Sequence, residues 1–189
     1  MELKFIESTL YAVTYLYKHI QVNYDHLHED INRLRKELQK VSKVRALFHK
    51  GRADIGVFLF DDPSILKNPN MSRACIGLRV DASEDLNEDF IELLEHASGL
   101  TSQASFNDTK VLMTKYENKS RLTSTIGRLN IKKELWRLYI KGKYKELWDK
   151  GKLVAPIGEL YKENEIIYYV SFGEQGKQEM KLTQFKYPS

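Results

Sequence analysis

One cysteine, Cys75, stands in a chain of 189 residues. That excludes an intramolecular disulfide and any multi-thiolate zinc site. Its place in Ala74-Cys75-Ile76-Gly77-Leu78 reads as a small buried residue, and its isolation fits a reducing, intracellular setting. No apolar run approaches the roughly 20 residues needed to cross a membrane. The first residues, Met1 to Glu7, carry acidic side chains and no hydrophobic signal core. The expectation is a cytoplasmic protein with no membrane contact within this chain.

Catalytic and cofactor motifs are equally scarce. The histidines His19, His26, His28, His49 and His96 show no HExxH or His/Cys ligand spacing, so no metal is expected. There is no phosphate-cradling glycine loop, no GxSxG elbow and no evident histidine partner for Cys75. Asp61-Asp62 precede Pro63 in what reads as a turn. No cofactor and no catalytic residue of a standard type is expected. Charge of one sign is also not concentrated: 30 Lys+Arg against 26 Asp+Glu are interleaved along the chain. Without a basic stripe interleaved with aromatics, direct nucleic-acid binding is not expected. No linker or low-complexity tract divides the chain, so residues 1–189 are read as one domain.

What is present is an order of elements that recurs. Residues 9–17 alternate as a strand, with Tyr11, Val13, Tyr15 and Tyr17 on one face and Leu10, Ala12, Thr14 and Leu16 on the other. A helix is predicted over 23–41, capped by Asn23 or Asp25, with Leu27, Ile31, Leu34, Leu38 and Val41 on its inner stripe. It can run on toward Phe48 before Gly51 stops it. Strands at 55–60 and 73–81 follow, with Pro63 ending the first and a surface loop at 64–71 between them. A shorter helix at 84–98 turns Leu86, Phe90, Leu93, Leu94 and Ala97 inward. Then the order returns: a strand at 109–117, a helix at 122–141, a short helix at 143–150, and strands at 156–162 and 165–172. The tail 173–189 is polar, with an edge strand at 179–185. The pattern predicts an α+β fold of duplicated strand–helix–strand–strand units, about 9–81 and 109–172, sharing one antiparallel sheet around a central cleft. Clefts of that kind bind small molecules.

Two motifs carry a choice of readings. Glu88-Asp89-Phe90-Ile91-Glu92-Leu93 fits an acidic, aromatic-x-x-aliphatic pattern of the kind bound by strand addition. Phe90 and Leu93 fall on the apolar side of a predicted helix, so core packing is expected. Glu159 sits in Pro156-Ile157-Gly158-Glu159-Leu160-Tyr161, an otherwise apolar strand, and shares a face with Ile157 and Tyr161. A carboxylate on an apolar face is costly without a partner. It is either an edge position reaching solvent or a lysine, or a pocket carboxylate that receives a cationic ligand among aromatic neighbours.

The element order and three stretches resemble the GyrI-like small-molecule-binding superfamily. The stretches are Val57-Phe58-Leu59-Phe60-Asp61-Asp62-Pro63, Ser72-Arg73-Ala74-Cys75-Ile76-Gly77 and Pro156 to Tyr161. Within it the chain looks most similar to the soluble domain of an ER-phagy receptor. The resemblance implies a ligand cleft in which Glu159 matches the family's carboxylate for cationic, multidrug-type aromatic ligands. Tyr11, Tyr15, Phe58, Phe60, Trp136, Tyr161 and Tyr168 are the implied wall. It also implies two alternatives. One is a hydrolase of strained-ring xenobiotics, with Glu159 and Tyr161 as acid and base. The other is a protein-interaction domain with a protein partner, held at the cytosolic face of the endoplasmic reticulum.

Overall fold

The computed structural model describes residues 4–22, 26–59, 72–117, 158–163 and 165–171, with Asn130, Glu134 and Arg137. Their order is β1 (Ile6–Leu10), β2 (Val13–Val22), α1 (Leu27–Gln39), α2 (Ser42–His49), β3 (Ala53–Leu59), β4 (Ser72–Asp81), α3 (Glu88–Ser98), β5 (Ser102–Phe106), β6 (Thr109–Glu117), β7 (Gly158–Tyr161) and β8 (Glu165–Ser171). The fold is α+β. All eight strands form one curled antiparallel sheet in the order β1-β6-β8-β7-β3-β4-β2-β5.

The strand expected over 9–17 is two strands. β1 pairs with β6, while β2 pairs with β4 and β5, so the two lie in opposite halves of the sheet. The break falls at Tyr11-Ala12. Ala12 N donates to Asp108 Oδ1 at 2.6 Å and Ala12 O accepts from Ala82 N at 3.1 Å, which takes this peptide out of the ladder. Leu10 consequently packs beside Val13 and Tyr17, not on the face opposite to them.

The helix expected over 23–41 begins at Leu27 and ends at Gln39. Its inner stripe is as predicted: Leu27, Ile31, Leu34 and Leu38 are each at most 2% exposed. The continuation toward Phe48 is a separate helix, because Val41 is extended at φ −84° and ψ 113°. The turn lets Val44 and Leu47 bury on a new axis. Gly51, at φ +66°, ends α2. Gly51 N bonds to Phe48 O and Arg52 N to Leu47 O, the paired closing bonds of a helix that stops on a left-handed glycine. Helix α3 starts at Glu88 because Asn87 Oδ1 accepts from Phe90 N at 3.0 Å. Phe90 is 6% exposed and Leu94 1%, but Leu93 is 51% exposed and leaves the inner stripe. Strand addition through Phe90 would therefore require α3 to unfold.

Alternation sorts the sheet into two faces. One carries Leu16, Ile55, Val57, Ile76, Leu78, Leu112, Tyr161, Tyr168 and Val170, and the apolar sides of α1, α2 and α3 pack on it. The other carries Tyr15, Phe58, Cys75, Phe106, Met113, Leu160, Ile167 and Tyr169. Cys75 is fully buried, as its sequence context predicts. Among the described residues no helix is long and apolar enough to cross a membrane. Asn130, Glu134 and Arg137 are helical, with Arg137 Nε donating to Glu134 Oε2 at 2.9 Å. The rest of the predicted helix 122–141, the helix 143–150, the loop 64–71 and the edge strand 179–185 lie outside the described residues.

Candidate functional site

Glu159 occupies the middle of the sheet. It pairs with Val57 on β3 and with Tyr168 on β8, and all three point to the helix-covered face. The carboxylate is 0% exposed. This removes the edge reading: Glu159 is enclosed, and Tyr161, two residues along the same strand, donates its hydroxyl to Glu159 Oε2. Period two puts these side chains next to one another on one face. A phenol is a strong neutral donor to a carboxylate and offsets part of its desolvation.

The local sequence explains how β7 holds this arrangement. Gly158 faces the opposite side, where a Cβ would come within 2.3 Å of the Tyr169 ring. Only glycine leaves room for that ring against β7. The far end of the strand is held by Arg35 of α1, whose Nη2 donates to Tyr161 O at 2.6 Å while its Cζ sits 5.1 Å from the Phe48 ring centroid. Burial pushes the Arg35 guanidinium down from its usual range, against the pull of Asp54 and Glu163. Beside Tyr161 lies a cavity of about 400 Å³ lined by His28, Ile31, Arg35, Phe48, Tyr161 and Ile166, among others. Tyr161 thus touches both the buried carboxylate and this space.

The structure brings together Glu159, Tyr161 and Tyr168. Tyr15 and Phe58 lie on the other face, since Phe58 neighbours Val57 and so has opposite parity to the residue that pairs with Glu159. There they form a packed aromatic interior. The Tyr15 and Phe58 ring centroids are 5.3 Å apart, edge to face, and Tyr15 Oη lies 3.0 Å from Gly56 O and 3.1 Å from Cys75 O. Burial raises the Tyr15 phenol and the Cys75 thiol well above their ordinary values. Tyr11 is 77% exposed in the β1–β2 turn, apart from Glu159. Phe60 and Trp136 lie outside the described residues. No cluster of potential metal ligands occurs among the described residues.

Two cations that sequence reasoning passed over are built into the fold: Arg35, above, and Arg79 on the opposite face, 4% exposed. The signal for Arg79 was present. It is a charge inside Cys75-Ile76-Gly77-Leu78-Arg79-Val80, with the same parity as buried Cys75.

No family model and no curated protein matches the chain. Solved structures similar to it include SAV2435 bound to tetraphenylphosphonium, at 10% identity over 94% of this chain and 97% of that one, with a TM-score of 0.48. The EcmrR C-terminal domain is similar at 13% identity over 92% and 98%, with a TM-score of 0.48. An integron cassette protein from the mobile metagenome of Vibrio cholerae is similar at 11% identity over 89% and 95%, with a TM-score of 0.39. At such identities no side chain of theirs stands for one of this chain.

Proposed function

We propose that this chain is a GyrI-like small-molecule-binding domain whose ligand is an aromatic cation received at Glu159. The observation that carries the proposal is the complete burial of Glu159 on a central strand, beside two tyrosines on the same face. Burying a carboxylate is expensive. A sheet centre filled by a leucine would be more stable, so the charge serves something other than folding. A delocalised cation suits it, because such an ion sheds its hydration cheaply and gains from both the carboxylate and the tyrosine faces.

The strand order supports the duplication on which the cleft depends. Outward from the central β3·β7 pair come β4 and β8, then β2 and β6. Helix α1 links β2 to β3, and the helix predicted at 122–141 falls in the link from β6 to β7. The strand before β2 pairs with β6, and the strand before β6 pairs with β2. The test is calorimetric titration with tetraphenylphosphonium against a neutral aromatic of similar size, triphenylphosphine oxide. Cation preference in the wild type that disappears in Glu159→Gln supports the reading; equal affinity for the two compounds contradicts it.

The Tyr161–Glu159 hydrogen bond also favours a second reading, hydrolysis of strained-ring electrophiles. A carboxylate and a phenol can share a proton and position a water. Product formation that is lost in both Glu159→Gln and Tyr161→Phe would support it; no turnover by the wild type contradicts it.

A further inference from the structure

The face of the sheet away from Glu159 carries a cavity of its own. It measures about 300 Å³ and opens where the β1–β2 turn passes the ends of β3, β4 and β7. Leu10, Met113, Leu160 and Ile167 give it an apolar floor. Its most deeply buried charge is Arg79. The arginine stem crosses β3 at Gly56, where a Cβ would come within 2.7 Å of Arg79 Cδ. Among the described residues the guanidinium is held by one neutral group: Nη1 donates to Tyr169 Oη at 2.8 Å, with Cζ 5.6 Å from the ring centroid.

A guanidinium has five N–H donors and is expensive to bury without an anion. No ion pair joins Arg79 to a described residue. Of the cavity's two carboxylates, Asp54 stands opposite Arg79 across the β3–β4 pair and feels its charge, but forms its ion pair with Lys162 at 3.9 Å, while Asp81 Oδ1 accepts from Ser83 N and Oγ. Among the described residues four cations (Arg52, Arg79, Lys115 and Lys162) line the space against these two carboxylates; Arg52 is also paired with Glu84 and Lys115 with Glu165. Tyr11, 77% exposed, stands at its mouth.

We propose that this cavity is a second binding site, for a small aryl carboxylate. The carboxylate would take the remaining N–H fork of Arg79, a geometry in which arginine surpasses lysine. The aromatic body lies on Leu160, Met113 and Ile167, with Tyr11 closing over it. The site is independent of Glu159, which points to the opposite face of the same strand.

The test is titration of the full chain with 2-naphthoate and its neutral counterpart 2-naphthamide. The wild type binds naphthoate at least about tenfold more tightly, the scale of one charged hydrogen-bonded pair. Arg79→Leu loses that preference and keeps the amide. Should Arg79→Leu fail to fold, Lys115→Gln/Lys162→Gln, changed at exposed side chains, lowers naphthoate affinity about threefold, as rim charges do, and leaves naphthamide unchanged. Glu159→Gln leaves naphthoate binding intact. Equal affinity of the wild type for both probes overturns the proposal. So does absence of saturable naphthoate binding by about 1 mM, the range of a marginal site. An unchanged preference in Arg79→Leu, or in the double lysine variant where that one does not fold, also overturns it, as does loss of naphthoate binding in Glu159→Gln.

Discussion

Tyr161 donates its hydroxyl to Glu159 Oε2 from two residues further along the same strand, on a face where the carboxylate has no exposure. Removing the donor leaves a buried acceptor less well satisfied. Tyr161→Phe keeps the ring and is expected to lower stability by about 1–3 kcal/mol in urea unfolding. A change under about 0.5 kcal/mol would show that this hydrogen bond does not hold the carboxylate.

The helix stripe makes a sharper packing prediction. Leu38 is 0% exposed and Leu93 is 51% exposed, although both were read as inward-facing from periodicity. Leu38→Ala should cost about 2–5 kcal/mol. Leu93→Ala should fall within about 0.5 kcal/mol of the wild type. Chemical denaturation of the two variants side by side decides it, and a large loss in Leu93→Ala would contradict the placement of α3.

Gly158 is the third test. A methyl group there meets the Tyr169 ring at 2.3 Å, and Tyr169 in turn holds Arg79. Gly158→Ala should lose about 1–3 kcal/mol, the usual cost of overpacking. The loss should shrink when Tyr169→Ala is added, a non-additive pair in a double-mutant cycle. Additive losses would mean that ring and strand do not interlock.

Cys75 gives a pH prediction. Burial raises its thiol above the ordinary range, with Tyr15 pulling weakly the other way. An unfolded thiol ionises near pH 8.5, while the folded one stays protonated. Each pH step above that value therefore favours the unfolded chain. Stability should fall as pH rises from about 8 to 10, and the fall should be smaller in Cys75→Ala. Native protein should also be unreactive toward a thiol-specific disulfide reagent that labels the denatured chain at once. Rapid labelling of the native state would contradict the burial.

How much of this was legible depends on what fixes each feature. Short strand-like runs bounded by turn or breaker residues marked β3, β4, β6 and β8 to within about two residues, and spacing picked out Leu27, Ile31, Leu34 and Leu38. A carboxylate in the apolar run Ile157 to Tyr161 was visible as an anomaly. The break at Tyr11-Ala12 was not, because alternation continues through it and the causes, Asp108 and Ala82, are distant in sequence. Strand β5 was missed because Ser102-Gln103-Ala104-Ser105 carries almost no apolar signal; its pairing with β2 supplies the structure. Tyr15 and Phe58 were grouped with Glu159 on the family resemblance; alternation sets faces within a strand, but only register sets them between strands. One residue of parity at Val57 separates the two faces of the sheet.

The central claim, that Glu159 is kept buried to receive a cation, is tested most directly by tetraphenylphosphonium titration of the wild type and Glu159→Gln, both confirmed folded by circular dichroism. The variant retains the shape of the side chain and loses its charge. The account predicts that affinity for the cation falls by about 1–3 kcal/mol, while affinity for neutral triphenylphosphine oxide is unchanged. Equal cation affinity in the two folded proteins would contradict it and leave Glu159 a structural carboxylate.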